Sequence, residues 1–223
     1  MSESVNPRRV YRSPARAAAA ARTRAQILGA ARGLFLERGF SDTTITAIAR
    51  SAGVAPETVY SIYRTKAGLL DAIVRSVVQR NDEPEDPLER NWVKRMVRLP
   101  DLPARIAAFA RHTAQTTELT SPIYAIIASA GTGEDGIEEL QEELLDMRFS
   151  GQREIMIALV QEESLRPGLT VQQAADTFSA LASPELHHLF TVRRGWSQRR
   201  YTRWLAQTVN AALLEELPGA TET

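Results

Sequence analysis

Apolar residues recur along most of this chain at intervals of three and four, the spacing that lines one face of an α-helix. Ile27, Leu28, Ala31, Leu34 and Phe35 form such a stripe at the end of an alanine- and arginine-rich stretch. That stretch opens at Ser13-Pro14, where serine suits an N-cap and proline the first helical turn. Gly39 is placed to end this helix. Thr43 and Thr44 are candidate caps for a short second helix carrying Ile45, Ile48 and Ala49, which Gly53 interrupts. A third helix is predicted from about Ala55 to Tyr63, and a fourth, capped by Thr65 and running from Lys66 to Arg80, through Leu69, Leu70, Ile73, Val74 and Val77. Residues 81–87 are acidic, broken by two prolines and without an apolar face, and so read as an inter-domain loop. Beyond it the period is again helical over 102–116, 122–130, 137–163, 171–181, 184–192 and 197–217, with Thr170, Ser183 and Ser197 as caps. No alternating run argues for a strand and no long internal repeat is present, so the expected fold class is all-α.

Composition narrows this picture. At 223 residues and 43% hydrophobic, the chain can bury one sizeable core and support a small appended domain. It has no cysteine, which removes disulfides, thiolate zinc sites and cysteine nucleophiles. No apolar run is long enough to span a bilayer, and the arginine-bearing N-terminus is followed by no hydrophobic signal core, so the expected location is the cytoplasm, with no membrane partner. The formal net charge is zero, but it is unevenly placed. Residues 1–66 carry eleven bases against only four acids, the last of them Glu57, and the remainder is acidic. A basic end on an acidic body is what a nucleic-acid-binding head would show, although a solvated basic face would show it too.

The run from Ile45 to Ile62, ITAIARSAGVAPETVYSI, resolves that ambiguity. Ala49 allows two helices to cross closely, Gly53 supplies the positive φ of a tight inter-helix turn, and Ile45, Ile48, Val54, Val59 and Ile62 pack the pair onto the first helix. The second helix of the pair is left with an outer face of Ala55, Pro56, Glu57, Thr58, Tyr60, Ser61 and Tyr63, small and hydroxyl-rich enough for a DNA major groove.

The longer run FLERGFSDTTITAIARSAGVAPETVYSIYRTKAGLLDAI resembles the DNA-binding domain of TetR-family transcriptional regulators over about residues 22–76. The RGF ending, the threonine pair, A-x-x-A-G-V, T-V-Y and the lysine that opens the next helix all fall in register. The resemblance implies an N-terminal three-helix helix-turn-helix domain followed by a helical ligand-binding and dimerisation domain. The divisions expected are a basic arm at 1–15, the DNA-binding domain at 16–64, the regulatory body at 65–217 and a tail at 218–223. It also implies roles: Thr44 and Lys66 on phosphate, Pro56, Glu57 and Thr58 at base edges, and Tyr60 and Tyr63 on backbone or thymine methyls. Tyr60 has an alternative role, sealing the helix pair. Glu57 departs from the family habit of a base near Ala55 and Pro56, and Tyr63 from its habit of phenylalanine. Because Glu57 brings an acid to the reading helix, the arm, including Arg12 and Arg16, is expected to add affinity through the backbone or minor groove.

For the body, the resemblance implies a homodimer built from the last helices, so that two heads meet a palindromic operator on double-stranded DNA. Trp204, Leu205, Thr208, Val209, Ala212 and Leu213 form the candidate dimer face. Phe109, His112, Tyr124, Ile127, Met147, Met156, Phe178 and Leu181 are candidate lining for a small-molecule effector pocket, each with core packing as the competing role. Glu185, His187 and His188 suggest a metal only weakly, since adjacent histidines on a helix point apart, and neither a metal nor another cofactor is expected. The acidic run Glu138, Glu139, Glu142, Glu143 and Asp146 reads as a solvated helix face. No phosphate-binding glycine loop, nucleophile elbow or zinc-protease motif is present, so an enzyme is not expected. The function expected is a repressor released from its operator by a small molecule. A regulator controlled by abundance or a protein partner is the alternative, with a helical enzyme behind it.

Overall fold

The computed structural model describes residues 14–79, 84–130, 136–160 and 165–214, and all its regular elements are helical. Helix α1, Pro14–Arg38, opens where proline was expected to open it. Its first dozen residues are mostly exposed and rest on the helix propensity of alanine and arginine, whereas Ile27, Ala31, Leu34 and Phe35 are buried. Gly39 turns away with φ 77°, its amide donating to the Phe35 carbonyl at 2.9 Å. The threonine pair divides its work. Thr43 is buried and donates to the Gly39 and Leu34 carbonyls at 2.7 and 3.2 Å, which closes α1, while Thr44 alone caps α2, Ile45–Ala52. Gly53, at φ 68°, ends α2, and α3, Pro56–Tyr63, follows with proline in its first turn.

The joint between α3 and α4, Lys66–Gln79, is a γ-turn of the uncommon positive-φ hand. Arg64 sits at its centre with φ 63° and ψ −51°, and the Thr65 amide donates to the Tyr63 carbonyl at 2.7 Å. A non-glycine residue held at positive φ costs on the order of 1 kcal/mol, so the neighbouring packing must hold it there. Gly68 does so: a Cβ on that residue would overlap the Tyr63 carbonyl oxygen, so α4 approaches α3 as closely as a backbone without a side chain permits.

The body begins with a single 3-10 turn, Pro87–Glu89, and a short helix α5, Asn91–Val97, that the sequence pattern did not suggest. Helix α6 runs unbroken over Leu102–Ser129. The segments expected at 102–116 and 122–130 are one helix because Pro122 is carried inside it. Proline takes its own amide from the ladder and crowds the Glu118 carbonyl, a local cost that the packing of α6 against α1, α4, α7 and α10 outweighs. Helix α7, Ile137–Leu159, ends four residues before its expected limit; α8 is Val171–Leu181. Helix α9, Pro184–His188, loosens into a π-helical turn over Leu189–Arg193, and α10 is Gln198–Leu214.

Two clusters of buried side chains form the interior. One joins α1 to α4 with Ile123 and Ile127 of α6 and Ile137, Leu140 and Leu144 of α7. The other joins α5, the first half of α6, the end of α7, α8 and α10. Helices α6 and α7 pass through both. A boundary drawn between residues 64 and 65 therefore cuts a continuous core. Deeper in the body, Gln198 donates its amide to the Ala114 carbonyl at 2.8 Å, so its oxygen faces His187 Nε2 at 2.9 Å and the imidazole carries its proton on Nε2. Nδ1 is buried without a hydrogen-bond partner among the described residues, and burial lowers the pKa of His187 against the raising effect of Gln198.

Gly68→Ala is expected to destabilise the protein by about 1–3 kcal/mol, the usual cost of forcing atoms into a packed contact, read as a lower urea midpoint with unchanged slope. For His187 the folded pKa lies below the unfolded value near 6.5, so the unfolded chain takes up the proton first as the pH falls. The stability is complete above about pH 6.5 and declines below it. Urea unfolding at pH 7.5 and 5.5 is expected to show a larger loss in the native chain than in His187→Gln.

Candidate nucleic-acid interface and effector cavity

On the outer side of the helix pair, Ala55, Glu57, Tyr60 and Ser61 are exposed, and Pro56 and Thr58 are half-buried at its edges. Tyr60 is 53% exposed while Val59 is fully covered, so valine seals the helix pair and the tyrosine points outward. Ser61 donates to the Thr58 carbonyl at 2.9 Å and retains its acceptor lone pairs. Tyr63 lies differently. It packs against the head core, beside the groove that Arg24 and Leu28 of α1 also line, and burial raises its pKa more than Arg24 lowers it. It stands at the flank of this face rather than on it.

Thr44 is exposed at the N-terminus of α2. Its oxygen accepts the Ala47 amide at 3.1 Å, and its hydroxyl proton is still to be donated. Lys66 is half-buried. Its ammonium donates to the Phe40 carbonyl at 2.8 Å and lies 4.2 Å from the centroid of the Phe40 ring, so the lysine first clamps the turn between α1 and α2. Any anion contact would use its remaining N–H groups. Arg16 is exposed on the first turns of α1, and Arg12 lies outside the described residues. Further exposed bases lie at Arg22, Arg24, Arg50 and Arg64. Their sign was legible from the charge count, but their placement depends on how the helices fold together.

A cavity of about 100 Å³ opens between α6 and α7, bounded by Val78 near the end of α4 and by Trp92 of α5. Of the residues expected to line it, Phe109, His112, Tyr124 and Met147 do so. Ile127 belongs instead to the head-side core, and Met156, Phe178 and Leu181 to the body core. Phe178 is consumed by stacking on Phe109, with ring centroids 4.2 Å apart. The polar lining was missed. Trp92 stacks on His112, a face of threonines at 113, 116, 117 and 120 runs along α6, and Arg90 and Arg148 bring two guanidiniums. The threonine spacing is a helical face readable in the sequence, although nothing there says that it meets a void. Burial pushes the Tyr124 phenol up to about 12 and lowers Arg148.

The candidate dimer face needs correction. Leu205, Val209 and Leu213 are fully buried within the chain, in the body core where α10 lies along α6, and cannot meet a second copy. Trp204, Thr208 and Ala212 sit beside that stripe and stay half-covered. Trp204 joins a cluster with Phe190, Tyr201 and Trp196. Next to it in the chain, Leu189 and Val192 are 43% and 65% exposed on the π-helical turn. His187 is occupied by Gln198 and the edge of Tyr201, and no group of three histidines or carboxylates able to hold a metal occurs among the described residues. No helix there is long and apolar enough to cross a membrane.

Residues 27–73, from the buried end of α1 to the middle of α4, match the family model for bacterial regulatory proteins, tetR family. The HTH-type transcriptional regulator SrpR of Pseudomonas putida is 37% identical over 79 residues, which cover 34% of this chain and 37% of SrpR. The chain thus spans little more than a third of the length of that curated relative. Among solved structures, NalD, the secondary repressor of the MexAB-OprM multidrug efflux pump in Pseudomonas aeruginosa, superposes with a TM-score of 0.62 at 22% identity, covering 89% of this chain and all of NalD. SmeT in complex with triclosan gives 0.63 at 18%, covering 90% and 97%. At these identities the likeness extends the shared fold from head to body. The match to the tetR family of bacterial regulatory proteins thus lies in the head, residues 27–73, and the likeness of the body is one of fold.

Proposed function

We propose that the protein is a DNA-binding transcriptional repressor that holds a palindromic operator as a homodimer and is released by a small molecule in the body cavity. The observation that carries the release is the course of α4. It starts at Lys66, clamped to Phe40 in the head, buries Leu69, Leu70, Ile73 and Val74 in the head core, and reaches the cavity wall at Val78, about 20 Å along. Arg75, one turn before Val78, is oriented by Asp71 on the same helix at 2.6 Å and reaches α7 at the Met147 sulfur, 3.5 Å, and at Glu143, 3.8 Å. A ligand that fits the cavity better in one placement of α4 shifts the heads away from the spacing that two successive major grooves require. SmeT with triclosan bound is a protein of this fold holding a small molecule, which supports the same arrangement here.

On DNA, Thr44 gives its hydroxyl proton and the N-terminus of α2 to a phosphate, and Lys66 adds charge from the start of α4. Tyr60, Ser61 and Glu57 meet the major groove. Arg16, with Arg12 before it, follows the backbone and offsets the acid that Glu57 brings to the reading helix. The second copy docks on the stripe that α10 leaves half-covered, Trp204, Thr208 and Ala212, extended by Leu189 and Val192.

Selection from random duplexes with the full chain is expected to return an inverted repeat, bound by two chains in sedimentation. Tyr60→Ala is expected to lose about tenfold on that repeat and little on random duplex. Arg16→Ala is expected to weaken both alike and to flatten the slope of log affinity against log salt by about one unit per chain. Thr44→Ala is expected to lower unfolding free energy by about 1 kcal/mol through the lost cap, with Thr44→Ser retaining both stability and operator binding. A selected site without two-fold symmetry would remove the dimeric reading.

A further inference from the structure

We propose that the cavity between α6 and α7 is built for an aromatic carboxylate, its anionic group held by Arg148 and its ring lying among Phe109, Met147 and Ile155. This rests on the cavity being the effector site and adds the chemical class of the effector.

Among the described residues the lining contains Arg90 and Arg148 and no aspartate or glutamate. Arg90 is buried and held in place, its Nε and Nη2 donating to the Pro84 and Glu85 carbonyls at 3.1 and 3.2 Å. Arg148 is the group presented. Its Nη1 donates to the Ser179 carbonyl at 2.8 Å and to the Ser179 hydroxyl at 3.1 Å. That hydroxyl, 1% exposed, donates in turn to Gln152 Oε1 at 2.7 Å. The Gln152–Ser179–Arg148 chain holds one side of the guanidinium and leaves the rest of its fork for a ligand. Among the described residues Arg148 forms no ion pair; Glu185, an exposed residue on α9, acts on it only at longer range.

A half-buried guanidinium without a carboxylate partner is costly, and an anion entering the cavity relieves that cost. The same charge opposes a cation, and a neutral ligand leaves the cost in place. The Tyr124 phenol, neutral at pH 7 like any tyrosine, adds an O–H donor, and Thr113 and Thr117 line the same wall. Phe109, Met147 and Ile155 give the lining an apolar side, and the volume of about 100 Å³, less than the roughly 150 Å³ of an engineered cavity that admits benzene, leaves room for no more than a single ring unless the walls adjust.

The test is calorimetric titration of the full chain with benzoate, phenylacetate and 2-naphthoate, against the neutral isostere benzamide and the cation benzyltrimethylammonium. At least one carboxylate is expected to saturate one site per chain, with the neutral and cationic probes about tenfold or more weaker. Arg148→Gln is expected to weaken the carboxylate about tenfold and leave benzamide unchanged, Arg148→Lys to recover part of the loss, and Ser179→Ala to fall between, all with native circular dichroism. The proposal is overturned if no carboxylate binds, if benzamide binds as tightly, or if Arg148→Gln changes nothing. Should Arg148→Gln fail to fold, the benzoate and benzamide comparison on the native chain decides alone. A parallel operator gel shift separates the two readings. Release by a neutral or cationic ring compound keeps the effector reading and removes the anion site, whereas tight benzoate binding with operator affinity unchanged keeps the anion site and removes the release.

Discussion

Helix α4 is buried on the side that faces both halves of the molecule, and most of what the structure can do depends on that burial. Leu69, Leu70, Ile73 and Val74 belong to the same packed cluster as Ile27, Phe35 and Ile48 of the head and Ile123 and Leu140 of the body helices. Close-packed interiors do not deform smoothly, so α4 is displaced as a rigid piece or not at all. The positive-φ turn at Arg64 and the Gly68 contact fix its other end against α3. Together these constraints make α3 an extension of the body.

The buried polar groups follow a second constraint, that each must find a partner inside the fold. Thr43 is answered by the carbonyls that end α1, His187 by Gln198, and Gln198 by the Ala114 carbonyl on α6. These bonds tie neighbouring helices at defined registers, which apolar contact alone does not do. Arg148 is held by the neutral Ser179, itself bonded to Gln152, so its charge meets no carboxylate among the described residues. That unbalanced charge stands beside the cavity between α6 and α7.

Much of the head was legible because its signals are local. Gly39 and Gly53 adopt the positive φ expected of helix-ending glycines, and Thr44 caps α2 through a bond to the amide three residues on. Helix α8 took its expected bounds, Val171–Leu181, because the Thr170–Gln173 capping box fixes its start. Helix α5 was missed since seven residues are too few to show a period. Pro122 read as the start of a separate helix, yet a helix packed on several neighbours keeps its course with one bond missing.

Periodicity determined that α10 has an apolar stripe and that α6 has a face of threonines, because a residue's position on a helix follows from its number in the chain. Which surface meets each stripe was decided only by the tertiary structure. Leu205, Val209 and Leu213 turn inward onto α6, and the threonines meet a void, because burial belongs to pairs of elements a hundred residues apart in some cases. The sequence thus determined a helical chain with a tetR-type head. Only folding decided which of its apolar and charged groups are core, which are surface, and which are left facing a cavity.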